Sequence, residues 1–312
     1  MAMKVGIIGA GGVGSACLYA MALRGSAREI VVANRDAKRA SGTIRDLQYG
    51  TLLTPAVAIR AGDVEELRDC AAIVITIGLN EQRGGATDRN DAAGRLRLLE
   101  KNAEIYRDIV PKLAAAAPGA ILLVVTDPPD ALADVARAAA PRSRVISAGT
   151  FLDTLRFRFH LAQHLGVDAR SVDAMVIGEH GTSQVFVWSL ARVAGTPVIP
   201  ALLPKTMGAE TFRERIEEEV RFANIGIIEG TGASRLGIGV AVARIVEMIL
   251  RDEKAVIPIG SYQERFGVTM SLPSVVGRNG IERVMPLALS MEEEGALRRS
   301  ADVLKAAQRS AT

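Results

Sequence analysis

The chain has 312 residues, 49% of them hydrophobic and 23% charged, and its 38 basic and 35 acidic side chains leave a formal net charge of +3. That length buries a large core, is normally divided into two domains, and with this composition excludes a disordered or fibrous protein. Charges of both signs are mixed along the chain without a run of one kind, which argues against nucleic acid or a membrane surface as partner, while the small positive excess suits an anionic substrate.

Residues 4–8 read as a strand almost at the start of the sequence, so no signal or transit peptide is expected, and no apolar stretch reaches spanning length without a charge or a breaker. The expected location is the cytoplasm. A glycine turn follows, then a helix over about 13–23, a strand over 29–33 and a helix over about 36–48. Residues 71–77 and 120–126 are apolar, β-branched strands, the second preceded by the breaker pair Pro118-Gly119. Between them, 79–94 is polar and rich in Gly, Asp, Asn and Arg, the mark of a lid or a disordered segment. This alternation predicts βαβ units and a parallel sheet.

After a short strand ending at Ser147 the pattern changes. A helix is expected over about 152–165, a strand over 172–177, and a long helical region over 212–251 punctuated by Gly230, Gly232, Gly237 and Gly239. Hairpin-like strands over 255–260 and 268–276, a turn at Arg278-Asn279-Gly280 and a charged amphipathic helix over 291–307 close the chain. The predicted fold class is α/β, with a doubly wound parallel sheet of the Rossmann type in 1–147 and an α+β substrate domain in 148–312. Cys17 and Cys70 are the only cysteines. Neither has metal-ligand spacing, so no disulfide framework and no metal site are expected.

Gly9-Ala10-Gly11-Gly12-Val13-Gly14 fits G-x-G-x-x-G in the context that gives the motif meaning, after a strand and opening a helix. Gly9 permits the tight turn, Gly11 lets the backbone approach a pyrophosphate, and Gly14 allows close helix–sheet packing. The helix N-terminus adds backbone donors and a favourable dipole, so this segment is read as a dinucleotide site. About twenty residues further on, an acid should end the second strand and hold the ribose 2′-OH. Here the strand ends Ala33-Asn34-Arg35-Asp36. Asn34 and Arg35 can donate to a 2′-phosphate that an acid would repel, so the coenzyme is read as NADP or NAD with a lean towards NADP. Asp36 counts against that lean, since it can instead cap the next helix or neutralise Arg35. Gly78, beyond the strand over 71–77, joins the expected coenzyme contacts.

His180, one of three histidines, lies in Gly178-Glu179-His180-Gly181 just beyond a strand and is the natural proton donor and acceptor near neutrality. Asp153 and Arg156 are three residues apart on one helix and share a face. A carboxylate there can orient the imidazole, and a guanidinium can clamp a substrate carboxylate in two-pronged fashion. An ordinary surface ion pair would have the same spacing. His160 and His164 lie four apart on that helix, but no acid or cysteine completes a ligand set, and they are read as ordinary helix residues.

On these segments the chain resembles the L-lactate/malate dehydrogenase family along its whole length. The likeness runs through Gly9 to Gly14, Arg95-Leu96-Arg97-Leu98-Leu99 leading to Asn102, Phe151-Leu152-Asp153-Thr154-Leu155-Arg156-Phe157-Arg158, Gly178 to Gly181, and Leu272-Pro273-Ser274-Val275-Val276-Gly277-Arg278-Asn279-Gly280. The resemblance implies hydride exchange between a nicotinamide coenzyme and a 2-keto/2-hydroxy carboxylic acid with L stereochemistry. It implies that His180 exchanges the proton with Asp153 as partner, that Arg156 binds the substrate carboxylate, and that Arg95 on the lid polarises the carbonyl on closure. Ser234 falls where the family carries a substrate-pocket Thr, and Asn102 falls near the active site and is counted among the expected coenzyme contacts. A homodimer or homotetramer is likewise implied.

Two departures stand out. Where the family reads Asn-Pro, this chain reads Thr126-Asp127-Pro128-Pro129-Asp130, and an ionised Asp127 accepts hydrogen bonds only. The lid is also longer, and the residue facing the substrate side chain is left open between Glu81, Gln82 and Arg83, which suit a hydroxylated or cationic, a neutral and a dicarboxylic substrate respectively. A less usual 2-keto acid is therefore expected. Two other readings stand beside it: a non-catalytic dinucleotide-binding protein, and an imino-acid reductase in which the substrate N–H satisfies Asp127.

Overall fold

The computed structural model describes residues 3–79, 81–84, 86–89, 91, 94–203 and 208–311; the side chains of Arg83, Arg95, Ser310 and Ala311 lie outside that description. The first half runs β1 (Lys4–Ile8), α1 (Gly12–Arg24), β2 (Glu29–Ala33), α2 (Ala37–Gly50), β3 (Ala58–Ala61), β4 (Ala72–Ile75), α3 (Glu81–Gly84), α4 (Leu99–Ala116), β5 (Ile121–Val124), α5 (Pro129–Ala139) and β6 (Arg144–Ser147). The second half runs α6 (Phe151–Leu165), β7 (Val172–Asp173), β8 (Val176–Ile177), β9 (Val185–Phe186), β10 (Arg192–Val193), β11 (Thr196–Pro197), α7 (Ala209–Arg221), α8 (Ala223–Thr231), α9 (Leu236–Leu250), β12 (Ala255–Gln263), β13 (Val268–Gly277), β14 (Gly280–Val284) and α10 (Met291–Ala311).

One nine-stranded sheet carries the molecule, in the order β14-β13-β12-β6-β5-β4-β1-β2-β3. From β6 to β3 every neighbour is parallel. The strands β1, β2, β4 and β5 are buried along almost every residue, as expected of a sheet covered on both faces by helices. Strand order reverses between β4 and β1, and a crevice opens there beyond the carboxyl ends of the strands. The hairpin read in the second half is more than a satellite. Gly260 of β12 pairs antiparallel with Ser147 of β6, so β12, β13 and β14 extend the first sheet.

Two sequence expectations change in detail. Residues 172–177 form two strands in different sheets, since Val172–Asp173 pairs with β10 while Val176–Ile177 pairs with β9. The helical region over 212–251 is three helices. Phe222 bends α7 into α8, and Gly232, at φ +77°, ends α8 in the left-handed conformation that glycine adopts without strain. No helix among the described residues is long and apolar enough to cross a membrane.

Helix α9 packs along α1, and their far ends are locked by charge. The carboxylate of Glu247, almost fully buried, accepts from Arg24 Nε and Nη2 at 2.7 Å each and from Ser26 Oγ at 2.9 Å. Burial pushes this carboxyl up, but the hydrogen bonds from Arg24 and Ser26 and the positive charges of Arg24 and Arg251 bring it below its ordinary value. Its contribution to stability is thus present above the unfolded-state value and is lost as pH falls through the lower folded one. Glu247→Ala opens a gap beneath the part-exposed Arg24 and removes the acceptor of Ser26, so urea denaturation is expected to show a loss of about 1–2 kcal/mol. A loss under about 0.5 kcal/mol, the size of an ordinary surface change, would show that this cluster does not hold the helices together.

Candidate active site

The glycine turn sits at the carboxyl end of β1, beside the crevice. Gly9 has φ +106°, and a Cβ on Gly14 would lie 1.9 Å from the Gly9 carbonyl oxygen, so neither position admits a side chain. A Cβ at Gly11 would meet nothing within 4 Å, which leaves the backbone open to a ligand. Val13, second in α1, lies at the same helix N-terminus. The cradle fits a dinucleotide pyrophosphate by shape and by its backbone donors.

Asn34 holds this turn in place: its Oδ1 accepts from Ala10 N at 3.0 Å and its Nδ2 donates to the Asp36 carbonyl at 2.8 Å. Asp36 caps α2, accepting from Arg39 N at 3.0 Å, and Arg39 Nε donates to the Ala10 carbonyl at 2.9 Å. Arg35 is exposed beside them. At Gly78 an added Cβ would come within 2.4 Å of Thr126 Cγ2 and 2.9 Å of Asn102 Oδ1, so the chain can pass only as glycine. Asn102, expected at the coenzyme, is fully buried. Its Oδ1 accepts from Leu79 N at 2.7 Å and its Nδ2 donates to the Asp127 carbonyl at 2.8 Å. Its part is therefore to tie the root of the lid to the end of β5.

The catalytic candidates meet at the start of α6. Thr150 Oγ1 donates to the Val176 carbonyl at 2.5 Å and Thr154 Oγ1 accepts from Val176 N at 2.9 Å, which staples the first turn of α6 to β8. That staple brings His180, just beyond β8, against Asp153: Nδ1 lies 2.5 Å from Oδ2 of a carboxylate that is nearly fully buried. The other Asp153 oxygen accepts from Arg156 Nη1 at 3.0 Å. On the opposite side of the ring, His180 Nε2 lies 3.7 Å from Asp127 Oδ1. Arg156, Asp153, His180 and Asp127 thus form a continuous line of ionisable side chains, with 12% of the Arg156 side chain and 19% of Asp127 exposed. Asp127 precedes Pro128 through a cis peptide bond.

Sequence reasoning missed Asp130. Its buried carboxylate accepts from the backbone N of His180 at 2.7 Å and from Ser147 Oγ, fixing the His180 loop to α5 and β6. Burial pushes its pKa up to about 7 against the pull of those two hydrogen bonds. The sequence signal was an acid in the first turn of a proline-opened helix, which reads equally well as a helix cap. Beyond the ring, the loop is pinned by Ser300 Oγ, which accepts from Glu179 N at 2.9 Å.

The lid expected over 79–94 carries a helical turn, α3, and leans on α8. Asn224 Nδ2 donates to Glu81 Oε1 at 3.4 Å, and Arg89 Nη2 lies 3.2 Å from Glu229 Oε2. Gln82 is exposed. Arg83 and Arg95, on which the dicarboxylate and carbonyl-polarising readings rest, have side chains outside the described residues. Ser234 is buried just ahead of α9, and no hydrogen bond among the described residues joins it to the His180 cluster. His160 and His164 both face Glu219 of α7, at 2.9 and 4.0 Å, and no group of three ligand-type side chains among the described residues could hold a metal.

Residues 3–147 match the lactate/malate dehydrogenase NAD binding domain, and 150–312 match the lactate/malate dehydrogenase alpha/beta C-terminal domain. The chain belongs to the lactate/malate dehydrogenase family. It is 43% identical over 313 residues to an L-lactate dehydrogenase of Thermus aquaticus, covering 98% of both chains. To an L-lactate dehydrogenase of Deinococcus radiodurans it is 41% identical over 304 residues, with 97% of each covered. Among solved structures it resembles a lactate dehydrogenase from a Medee basin deep-sea metagenome library, at a TM-score of 0.89, 33% identity and 98% coverage of both chains. The α/β class, the nicotinamide-binding first half and the family likeness read from the motifs agree with these matches.

Proposed function

We propose that this protein interconverts a 2-keto acid and its L-2-hydroxy acid, with His180 exchanging the proton and Arg156 holding the substrate carboxylate. The observation that carries the reading is the line Arg156–Asp153–His180–Asp127, closed by the 2.5 Å contact between Asp153 and the ring. The Gly9–Gly14 cradle would hold a nicotinamide coenzyme, whose chemistry when bound would be to give or take a hydride. The protonated ring donates from Nε2 to the carbonyl oxygen during reduction and recovers that proton during oxidation. Asp153 fixes the ring orientation and stabilises its charged form. Arg156 orients the acid through its planar fork, which a lysine lacks. Arg95 is assigned to polarising the carbonyl, Ser234 to the pocket wall, and Gln82 or Arg83 to the substrate side chain.

The coenzyme reading leans to NADP. Asn34 stands where an acid would repel a 2′-phosphate, Asp36 is engaged as a helix cap, and Arg35 is exposed beside the site. A lower Michaelis constant for NADPH than for NADH is expected, and a clear preference for NADH would remove the lean.

Asp127 supports a second reading. Its carboxylate beside Nε2 faces the place of the substrate oxygen, where a donor is wanted. An imine at C2 would present an N–H that Asp127 can accept. A panel of 2-keto acids, run with and without ammonia or methylamine, separates the two. Turnover without amine supports the keto-acid reading, and strict dependence on amine replaces it with imine reduction. In the first case Asp127→Asn supplies a donor to the keto oxygen and is expected to raise kcat/KM for unsubstituted keto acids by about tenfold.

Self-association as a dimer or tetramer is also proposed. Tyr19 and Leu23 on α1, Leu236 and Val240 on α9, and Leu52 and Leu53 after α2 are large apolar side chains left exposed in the single chain. Such patches mark contact surfaces. Light scattering giving two or four chains per particle is the expected result; a single chain would remove the assignment.

A further inference from the structure

Arg235 has no place in the machinery described so far. It is the N-cap residue of α9, and its side chain rests on the glycine turn: its Cδ lies 3.5 Å and its Nη1 4.0 Å from the Cβ position of Gly12, the first residue of α1. This placement follows from how the two helices meet. A Cβ on Gly239 would fall 2.6 Å from the carbonyl carbon and oxygen of Ala16, so only a glycine lets the backbones touch there. One turn back on each helix, Gly239 leads to Arg235 and Ala16 leads to Gly12. The helices run in the same sense, and both N-termini arrive at the glycine turn. The guanidinium of Arg235 is exposed, and no carboxylate or other hydrogen-bond acceptor among the described residues engages it. An arginine left unneutralised beside open backbone donors and a helix N-terminus is the arrangement that receives a phosphate group.

We infer that Arg235 binds the diphosphate of the coenzyme, reaching it from the second half of the chain and so clamping α9 onto the occupied glycine turn. This rests on the reading of that turn as a dinucleotide site. The diphosphate is the part at issue because Gly12 opens α1, whereas a 2′-phosphate would lie by Asn34 and Arg35 at the end of β2. Arg39, the other basic side chain at the turn, is occupied with the Ala10 carbonyl.

The test is a set of dissociation constants for NADH, NADPH and ADP-ribose, measured by fluorescence titration and calorimetry. The proteins compared are the parent chain, Arg235→Ala, Arg235→Lys and a charge control, Arg142→Ala. Arg142 is exposed between α5 and β6, at the amino-terminal edge of the parallel strands and away from the crevice. Loss of a charged hydrogen bond is expected to raise all three constants by about 10- to 100-fold in Arg235→Ala. Arg235→Lys should fall between that variant and the parent, and Arg142→Ala should match the parent. Unchanged constants in Arg235→Ala, a loss confined to NADPH, or an equal loss in Arg142→Ala would each overturn the assignment. A parent chain that binds none of the three ligands would instead refute the dinucleotide site itself.

Discussion

Replacement of His180 by glutamine is expected to lower kcat for keto-acid reduction by about 10²- to 10⁴-fold, the range that a positioned proton donor supplies. The geometry makes the ring hard to replace. Its Nδ1 is bound by a buried carboxylate, its backbone N is held by Asp130, and its Nε2 lies 3.7 Å from Asp127 Oδ1. Glutamine can reach the same region and hydrogen-bond, but it carries no proton that it can give up near neutrality. Coenzyme affinity should change little, because the glycine turn is built by β1, α1 and Asn34 and, among the described residues, shares no hydrogen bond with the His180 loop. Single-turnover reduction with saturating coenzyme measures the step directly. A variant within tenfold of the parent would give the proton to another group, and Asp127, 3.7 Å from Nε2, is next in line.

The sequence exposed the parts of this site that depend on local rules. The glycine turn was legible because strand, turn and helix are consecutive, and the Asp153–Arg156 pair because helical spacing puts them on one face. What joins these pieces was not legible. The approach of His180 to Asp153 depends on Thr150 and Thr154 binding Val176, a contact spanning more than twenty residues that no periodicity announces. Asp130 was hidden for a related reason: an acid in the first turn of a helix has a sufficient local explanation, and its engagement with the His180 backbone is tertiary. Asn102 shows the reverse case. Position along the chain suggested a ligand contact, while burial gave both ends of its amide to the backbone at Leu79 and Asp127. The extension of the first sheet by β12 to β14 escaped for the same reason as the Thr150 staple. A hairpin pattern reports its own turn and says nothing of the edge on which it will pair.

Arg156→Ala is expected to reduce kcat/KM for a keto acid by about 30- to 5,000-fold, the equivalent of about 2–5 kcal/mol for one partner lost from a buried, hydrogen-bonded charge pair. Arg156 has a second neighbour to lose, since its Nη1 binds Asp153 at 3.0 Å, and the deletion could act through the His180 partner instead of through the substrate. The two routes part when the substrate carries no carboxylate. If the guanidinium grips the acid, the penalty applies to 2-keto acids and nearly vanishes for a matched methyl ketone, because that substrate never used the grip. If Arg156 serves mainly to hold Asp153 against the ring, acid and ketone lose the same factor and the pH profile of both shifts. Arg156→Lys sharpens the distinction: the charge beside Asp153 is retained while the two-pronged geometry is lost, so a substrate clamp is impaired and a purely electrostatic prop is not. Equal losses for acid and ketone in Arg156→Ala, with full activity in Arg156→Lys, would move the carboxylate-binding role away from α6.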